Sequence, residues 1–332
     1  MQRVAQLESW LHGLCPEGDF SLAPASADAS FRRYFRVTRA GGTAIAMDAP
    51  PEREDCSRFL HVAELFGQAG VHVPTVLGYD LAQGFVLLSD LGTRTYLDVI
   101  RSGEGDADAL YRDAFEALVG LQAASRPAVL PPYSRELLRA ELDLFPDWYV
   151  ARHLGATLNA EQRAVLENAF SLLLDCHLAE APVFVHRDFH SRNLMLSTPN
   201  PGVLDFQDAV YGPISYDAVS LLKDAYVEWP EERALDWLVR YWDSARKRGL
   251  PVPADFGAFH RDYEWMGIQR HIKVLGIFAR LWHRDGKDGY LKDMPLVMRY
   301  LRAACERYRA FGPLQKLLDE LEQRPTRVGY TF

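Results

Sequence analysis

Two short stretches of this sequence set oxygen-bearing side chains against apolar runs: residues 185–196 (VHRDFHSRNLML) and 203–208 (VLDFQD). Within them Asp188, Asn193 and Asp205 are the groups with chemistry to offer. Mg²⁺ prefers carboxylate, amide and phosphate oxygens, so Asn193 and Asp205 form a candidate metal pair. Asp188 is then left to accept a proton from an attacking hydroxyl. That division of labour suits phosphoryl transfer, where catalysis is mostly positioning and charge neutralisation. One Asp in a polar loop is better read as a turn cap. Two linked segments, D-x-x-x-x-N and then an apolar-flanked Asp-Phe, favour a metal–nucleotide site. His186 and His190 sit four apart, but they straddle a loop rather than share a helical face, which argues against zinc.

Strands must aim these groups and helices must hold the strands. Residues 30–38 and 43–48 flank Ala40-Gly41-Gly42 and read as an antiparallel hairpin. Residues 52–68 read as a helix, with Phe59, Leu60, Ala63 and Phe66 on one face and Gly70 just beyond its end. Residues 73–79 and 84–88 read as two further strands. At the N-terminus Val4, Leu7, Leu11 and Leu14 repeat at helical spacing. Past residue 96 the periodicity is mostly helical, clearest over 110–122, 135–153, 160–178, 234–248, 259–281 and 296–311. Strand-like pieces at 183–186 and 202–205 interrupt it. The fold class expected is α+β and bilobal: a small antiparallel-sheet lobe over 1–90 and a larger, mainly helical lobe over 91–332.

Composition narrows the function. The formal charge is −8 over 332 residues, which argues against nucleic acid as a partner. The four cysteines, Cys15, Cys56, Cys176 and Cys305, form no C-x-x-C and read as thiols in a reducing compartment. No apolar run approaches the roughly 20 residues that span a bilayer, so no membrane association is expected. A cytoplasmic monomer is the expectation.

The segment H-x-D-x-H-x-x-N followed by L-D-F resembles the aminoglycoside and choline phosphotransferase family, a branch of the protein-kinase-like fold. The likeness runs over nearly the whole chain. It implies ATP and Mg²⁺ as cofactors, Asp188 as catalytic base, and Asn193 and Asp205 as Mg²⁺ ligands. It also makes Ser89-Asp90-Leu91 the hinge whose backbone meets adenine, and Asp217 a brace for the catalytic loop. Two departures stand out. Protein kinases and many of these phosphotransferases place a Lys on the third strand, paired with a helix Glu. Here that strand reads Ala44-Ile45-Ala46-Met47-Asp48, no Lys occurs between Met1 and Gly92, and Glu64 holds the helix position. The phosphate turn is Ala27-Asp28-Ala29-Ser30 rather than glycine-rich. Arg32 or Arg33 is the expected replacement cation, because an Arg fork suits phosphate oxygens at least as well as Lys. Ser30 joins them as a candidate phosphate contact.

Met47-Asp48-Ala49-Pro50-Pro51-Glu52 and residues 267–276 resemble the bacterial sugar kinases that phosphorylate the anomeric hydroxyl of N-acetylmuramate and N-acetylglucosamine in cell-wall recycling. That resemblance implies a small amino-sugar substrate. Gln269, Arg270 and His271, with Tyr226 and Trp229, are the candidate substrate contacts. Trp265, Ile268, Ile272, Leu275 and Phe278 form an apolar stripe on the same helix, so packing competes with each assignment. An aminoglycoside acceptor is the main alternative, given the acids Glu141, Asp143, Asp147, Glu228, Glu231 and Glu232. A choline-type acceptor would need an aromatic cage. A nucleotide-binding pseudokinase is the alternative outside catalysis.

Overall fold

The computed structural model describes residues 2–14, 19–27 and 31–323. Ser30 and most of the phosphate turn, along with Cys15, lie outside the described residues. By internal packing the chain forms two compact units, Met1–Leu121 with Arg192–Ala209, and Gln122–Ser191 with Val210–Phe332. The segment carrying Asn193 and Asp205 therefore belongs with the first unit, and the segment carrying Asp188 with the second.

The first unit is built on a five-stranded antiparallel sheet, ordered β1 (Ser21–Ala27), β2 (Arg33–Arg39), β3 (Gly42–Asp48), β5 (Phe85–Ser89), β4 (Val76–Asp80). The hairpin expected from the Gly-Gly turn is β2–β3, with Arg33 opposite Asp48 and Tyr34 opposite Met47. Strand β1, SLAPASA, has little alternation and an internal Pro, which an edge strand tolerates. Helix α1 (Gln2–Leu14) covers one sheet face, where Leu7 and Leu11 pack with Val37, Ala44, Ala46, Phe85 and Leu87. Helix α2 runs over Cys56–Gln68 and begins later than its apolar face alone predicts. Pro50 accepts the Arg53 and Glu54 N–H groups in a turn, and Asp55 then caps the helix by accepting from Ser57 N at 2.9 Å. Glu64 lies on the exposed side of α2 and accepts from Gln68, so it does not face the sheet. Helix α3 (Tyr96–Ser102) opens with a Thr95–Asp98 capping box, and α4 follows over Ala107–Ala123.

The second unit is helical: α5 (Arg135–Leu144), a π-helical turn (Phe145–His153), α6 (Ala160–Ala179), α7 (Tyr216–Leu222), α8 (Glu231–Lys247), α9 (Phe256–Asp285), α10 (Met294–Arg307) and α11 (Gly312–Leu321). The expected helix over 135–153 changes winding at Phe145, beside Pro146, which has no N–H to continue the ladder. The 30-residue α9 is the core of this unit, nearly all of residues 262–276 being buried. Gly276 lets it approach α5 closely: a Cβ there would lie 2.5 Å from the Leu144 carbonyl carbon. Strands β6 (Pro182–Val185) and β9 (Val210–Pro213) pair antiparallel and deliver the chain into the Asp188 loop. Among the described residues no helix is long and apolar enough to cross a membrane.

Candidate active site

Strand β6 ends at Val185, and the next six residues hold the candidate base. Arg187 adopts a left-handed backbone, with φ of 76°, which is uncommon for a side chain of its size. Asp217, fully buried at the start of α7, holds this turn by accepting from His186 N at 2.7 Å and Arg187 N at 3.0 Å. Burial pushes the Asp217 carboxyl up to about 7, against the pull of those two N–H groups and of Arg270. The far end of the loop is held by a second buried acid, Asp224, which accepts from Ser191 N at 3.0 Å, from the Ser191 hydroxyl, and from Tyr226 N at 3.0 Å. Asp188 N–H itself donates to His186 Nδ1 at 3.2 Å.

Beneath this loop lies a charged cluster. Glu141, on the apolar face of α5 beside Leu138 and Leu142, accepts from Lys273 Nζ at 2.8 Å and Gln269 Nε2 at 3.1 Å. It also accepts from Arg187 and from the Tyr133 hydroxyl. Arg270 donates to the Arg187 carbonyl at 2.8 Å and the Tyr216 hydroxyl at 3.2 Å, and stands 4.0 Å from Asp188 Oδ1. Burial works against charge on Glu141, but Lys273 and Arg187 hold it below the ordinary glutamate range. The Asp188 side chain keeps 40% of its surface exposed, so water tempers its burial. Although burial raises its carboxyl, Lys273, Arg270, His190 and Arg187 outweigh that effect and hold it at about 2. Asp188 is thus an anion at every physiological pH, able to orient a hydroxyl and to accept its proton as charge develops.

In the first unit, β7 (Leu194–Met195) and β8 (Gly202–Val203) form a small ladder that aligns Asn193 with Asp205. Leu204 N donates to Asn193 O at 2.9 Å, and Asn193 Nδ2 lies 3.4 Å from Asp205 Oδ2. Asp205 Oδ1 accepts from Gln207 Nε2 at 2.8 Å. Asp205 takes a left-handed backbone, with φ of 61°, and the Phe206 ring anchors it by packing against Phe59, 4.9 Å away on α2. The Asp205 carboxylate and the Asn193 amide are neighbours, and a carboxylate with an amide is a donor set that suits Mg²⁺, which keeps its other positions for water and phosphate.

The remaining candidates separate into two groups. Ser89 N donates to Thr75 O at 2.8 Å, and the Ser89 hydroxyl accepts from Thr75 N at 2.8 Å, tying the hinge to its neighbouring strand. The Asp90 carboxylate is held by Arg36 through Nε at 2.6 Å and Nη2 at 3.1 Å. Leu91 is buried, so its side chain is not open to a ligand. On the acceptor side, Tyr226 lies edge-on to His190 at 5.6 Å and so adjoins the Asp188 loop. Trp229 instead packs against Trp237 and Arg233. His271 stacks on Tyr300 and is held neutral by burial and Lys223. Gln269 and Arg270 are buried in the cluster around Glu141. Sequence reading passed over Glu141 as a structural acid, although an acid at the i+3 position between Leu138 and Leu142 implies a buried, partnered carboxylate. The acids that suggested a polycationic acceptor are largely ion-paired: Asp143 with Arg139, Glu228 with Arg299 and Glu231 with Arg307.

The model of the phosphotransferase enzyme family matches residues 21–256. The chain belongs to that family and is an enzyme that transfers a phosphoryl group to a hydroxyl acceptor. It is 50% identical, over the full length of both chains, to the N-acetylmuramate/N-acetylglucosamine kinase of Neisseria meningitidis serogroup B. It is 49% identical to the Pseudomonas putida enzyme of the same name, over 96% of this chain and 97% of that one. Among solved structures, the choline kinase LicA from Streptococcus pneumoniae superposes with a TM-score of 0.63 at 12% identity, covering 90% of this chain and 99% of that chain. That likeness establishes the α+β kinase-like fold.

Proposed function

We propose that the protein transfers the γ-phosphate of ATP to the anomeric C1 hydroxyl of N-acetylmuramate and N-acetylglucosamine, giving the sugar 1-phosphate and ADP. The observation that carries this reading is the 50% identity over full length to a relative named for those two sugars. Glu141, one of the acids that a polycationic acceptor would call on, is buried and taken up by Lys273 and Arg187, which weakens the case for an aminoglycoside.

In this mechanism Asp188 accepts a hydrogen bond from the C1 hydroxyl and takes its proton as the oxygen attacks the γ-phosphorus. A P–O bond forms to the sugar, the bond to the β–γ bridging oxygen breaks, and ADP leaves. Arg270, Lys273 and Arg187 keep Asp188 ionised and fixed while this happens, and Asp217 and Asp224 hold the loop from its two ends. Asn193 and Asp205 would hold Mg²⁺, which supplies charge neutralisation on the phosphates. The hinge backbone around Ser89, Asp90 and Leu91 would receive adenine. An ATP-consuming enzyme with free thiols at Cys56, Cys176 and Cys305 suits the cytoplasm.

³¹P NMR with Mg·ATP and each candidate acceptor in parallel tests the reading. A sugar 1-phosphate resonance with N-acetylmuramate or N-acetylglucosamine is expected. ADP formation only with gentamicin or choline would overturn the acceptor.

A further inference from the structure

We propose that Arg32, oriented by Glu54, grips the phosphate chain of the nucleotide and does the work of the absent strand lysine, while Arg33 has no part in binding. The proposal rests on the nucleotide reading above.

The two arginines are neighbours in sequence, Arg33 the first residue of β2 and Arg32 the residue just before it, and they turn to opposite sides of the strand. Successive strand residues point to opposite faces. Phe35 and Val37 pack with Ala44 and Ala46 under α1, and Arg33 shares their parity and their face. There it meets buried Asp48, which also accepts from Arg3 Nε at 2.8 Å. Arg33 is 45% exposed beyond that contact. Arg32 has the opposite parity, on the face that carries Met47, and both line one cavity of about 210 Å³. That space equals roughly seven water volumes, enough for phosphoryl groups. Met47 thus brings an apolar side chain to the wall where a β3 lysine would bring a cation, and Arg32 brings the cation from the adjacent strand end.

The cavity chemistry specifies the ligand. Its wall carries Arg32, Arg53 and Arg58 against Glu54, Asp55 and Asp208. Asp55 caps α2 through Ser57 N. Glu54 accepts from Phe31 N at 3.3 Å and stands 3.7 Å from Arg32 Nε, close enough to attract the guanidinium by charge. Arg58 and Asp208 are 4.0 Å apart and each at least half exposed, a pair worth little by itself. Only Arg32, 9% exposed, is both charged and shielded from water. A balanced wall of this kind discriminates against a bare anion and suits a phosphate chain whose charge is already reduced by a divalent cation. A planar guanidinium fork then contacts two phosphate oxygens at once.

The experiment is calorimetric binding of Mg·AMP-PNP, with adenosine as the phosphate-free control and thermal melting alongside. Arg32→Met and Arg32→Gln should each weaken Mg·AMP-PNP at least tenfold and leave adenosine within twofold. Glu54→Gln should weaken it about threefold. Arg33→Met should lower the melting temperature and leave Mg·AMP-PNP within twofold. Introducing Met47→Lys into the Arg32→Met protein should recover part of the lost affinity. Arg32 variants that melt normally and bind Mg·AMP-PNP like the wild type would overturn the Arg32 assignment alone. A wild-type protein that binds no Mg·AMP-PNP would overturn the nucleotide reading, and this proposal with it.

Discussion

Two buried carboxylates in this molecule each hold two cations, and their surroundings make them different devices. Asp48 has no exposed side-chain surface, but its partners Arg3 and Arg33 are 28% and 45% exposed. Water screens the cation side of that cluster, which clamps α1 and β2 to the sheet. Glu141 is 7% exposed, and its partners Lys273 and Arg187 are 7% and 17% exposed. Around Glu141 little screening reaches the charges, so their field extends to Asp188. The same chemistry fastens a fold in one unit and sets the charge of the proposed base in the other.

The comparison breaks most visibly on deletion. Glu141→Leu strands Lys273 and Arg187 in a dry interior, so unfolding in urea should show a loss of about 3–5 kcal/mol. Asp48→Asn leaves its arginines partly hydrated, and the loss should be smaller, about 1–3 kcal/mol. Equal losses at the two sites would remove the distinction drawn between them.

A second contrast lies inside the helical unit, where the carboxyl on the loop, Asp188, and the carboxyl that holds it from α7, Asp217, shift in opposite directions. Asp217 is raised to about 7 by burial, so its folded form holds a proton that the unfolded chain has released. Its contribution to stability is therefore complete below about pH 4 and lost as pH rises through about 7, a fall of roughly 2–4 kcal/mol. Asp188 is held at about 2, so whatever it contributes is present above pH 4 and lost only as pH falls toward 2. Urea titrations between pH 5 and pH 8 should show stability declining with pH, and Asp217→Asn should flatten that slope. A slope unchanged in the variant would assign the decline elsewhere.

The smallest effect is the most specific. Lys273 is the strongest of the cations lowering Asp188, with Arg270 beside it on α9, His190 and Arg187 on the loop itself, and Asp217 opposing them from α7. Lys273→Met should raise the acid limb of the kcat–pH profile by roughly one unit. Its KM for sugar should stay within threefold. A proportional loss of kcat at every pH would reduce Lys273 to packing.

Much of this was legible in the sequence. The Asp188 and Asp205 segments announce themselves because short apolar runs bracket polar residues at fixed spacing, and the Gly-Gly turn marks its hairpin. The parity of Arg32 and Arg33 was also readable, since Phe35 and Val37 already mark the covered face of β2. The polar residues of α9 were harder. Its apolar stripe suggests an amphipathic helix with Gln269, Arg270 and His271 facing a ligand. The helix is in fact enclosed on nearly all sides along 262–276, packed by α5, α6, α7 and α10, so those polar groups find partners inside the protein. Periodicity identifies one apolar face but cannot tell a wet face from a buried polar network. Strand β1 was missed because an edge strand with Pro and small residues carries almost no alternation.

The central claim is that Asp188 is the base of a phosphoryl transfer, and Asp188→Asn under saturating Mg·ATP and N-acetylmuramate tests it most directly. Initial rates of sugar phosphate formation should fall at least a thousandfold, while Mg·AMP-PNP affinity stays within threefold of the wild type. Turnover within tenfold of the wild type, with the protein folded and nucleotide bound, would contradict the account.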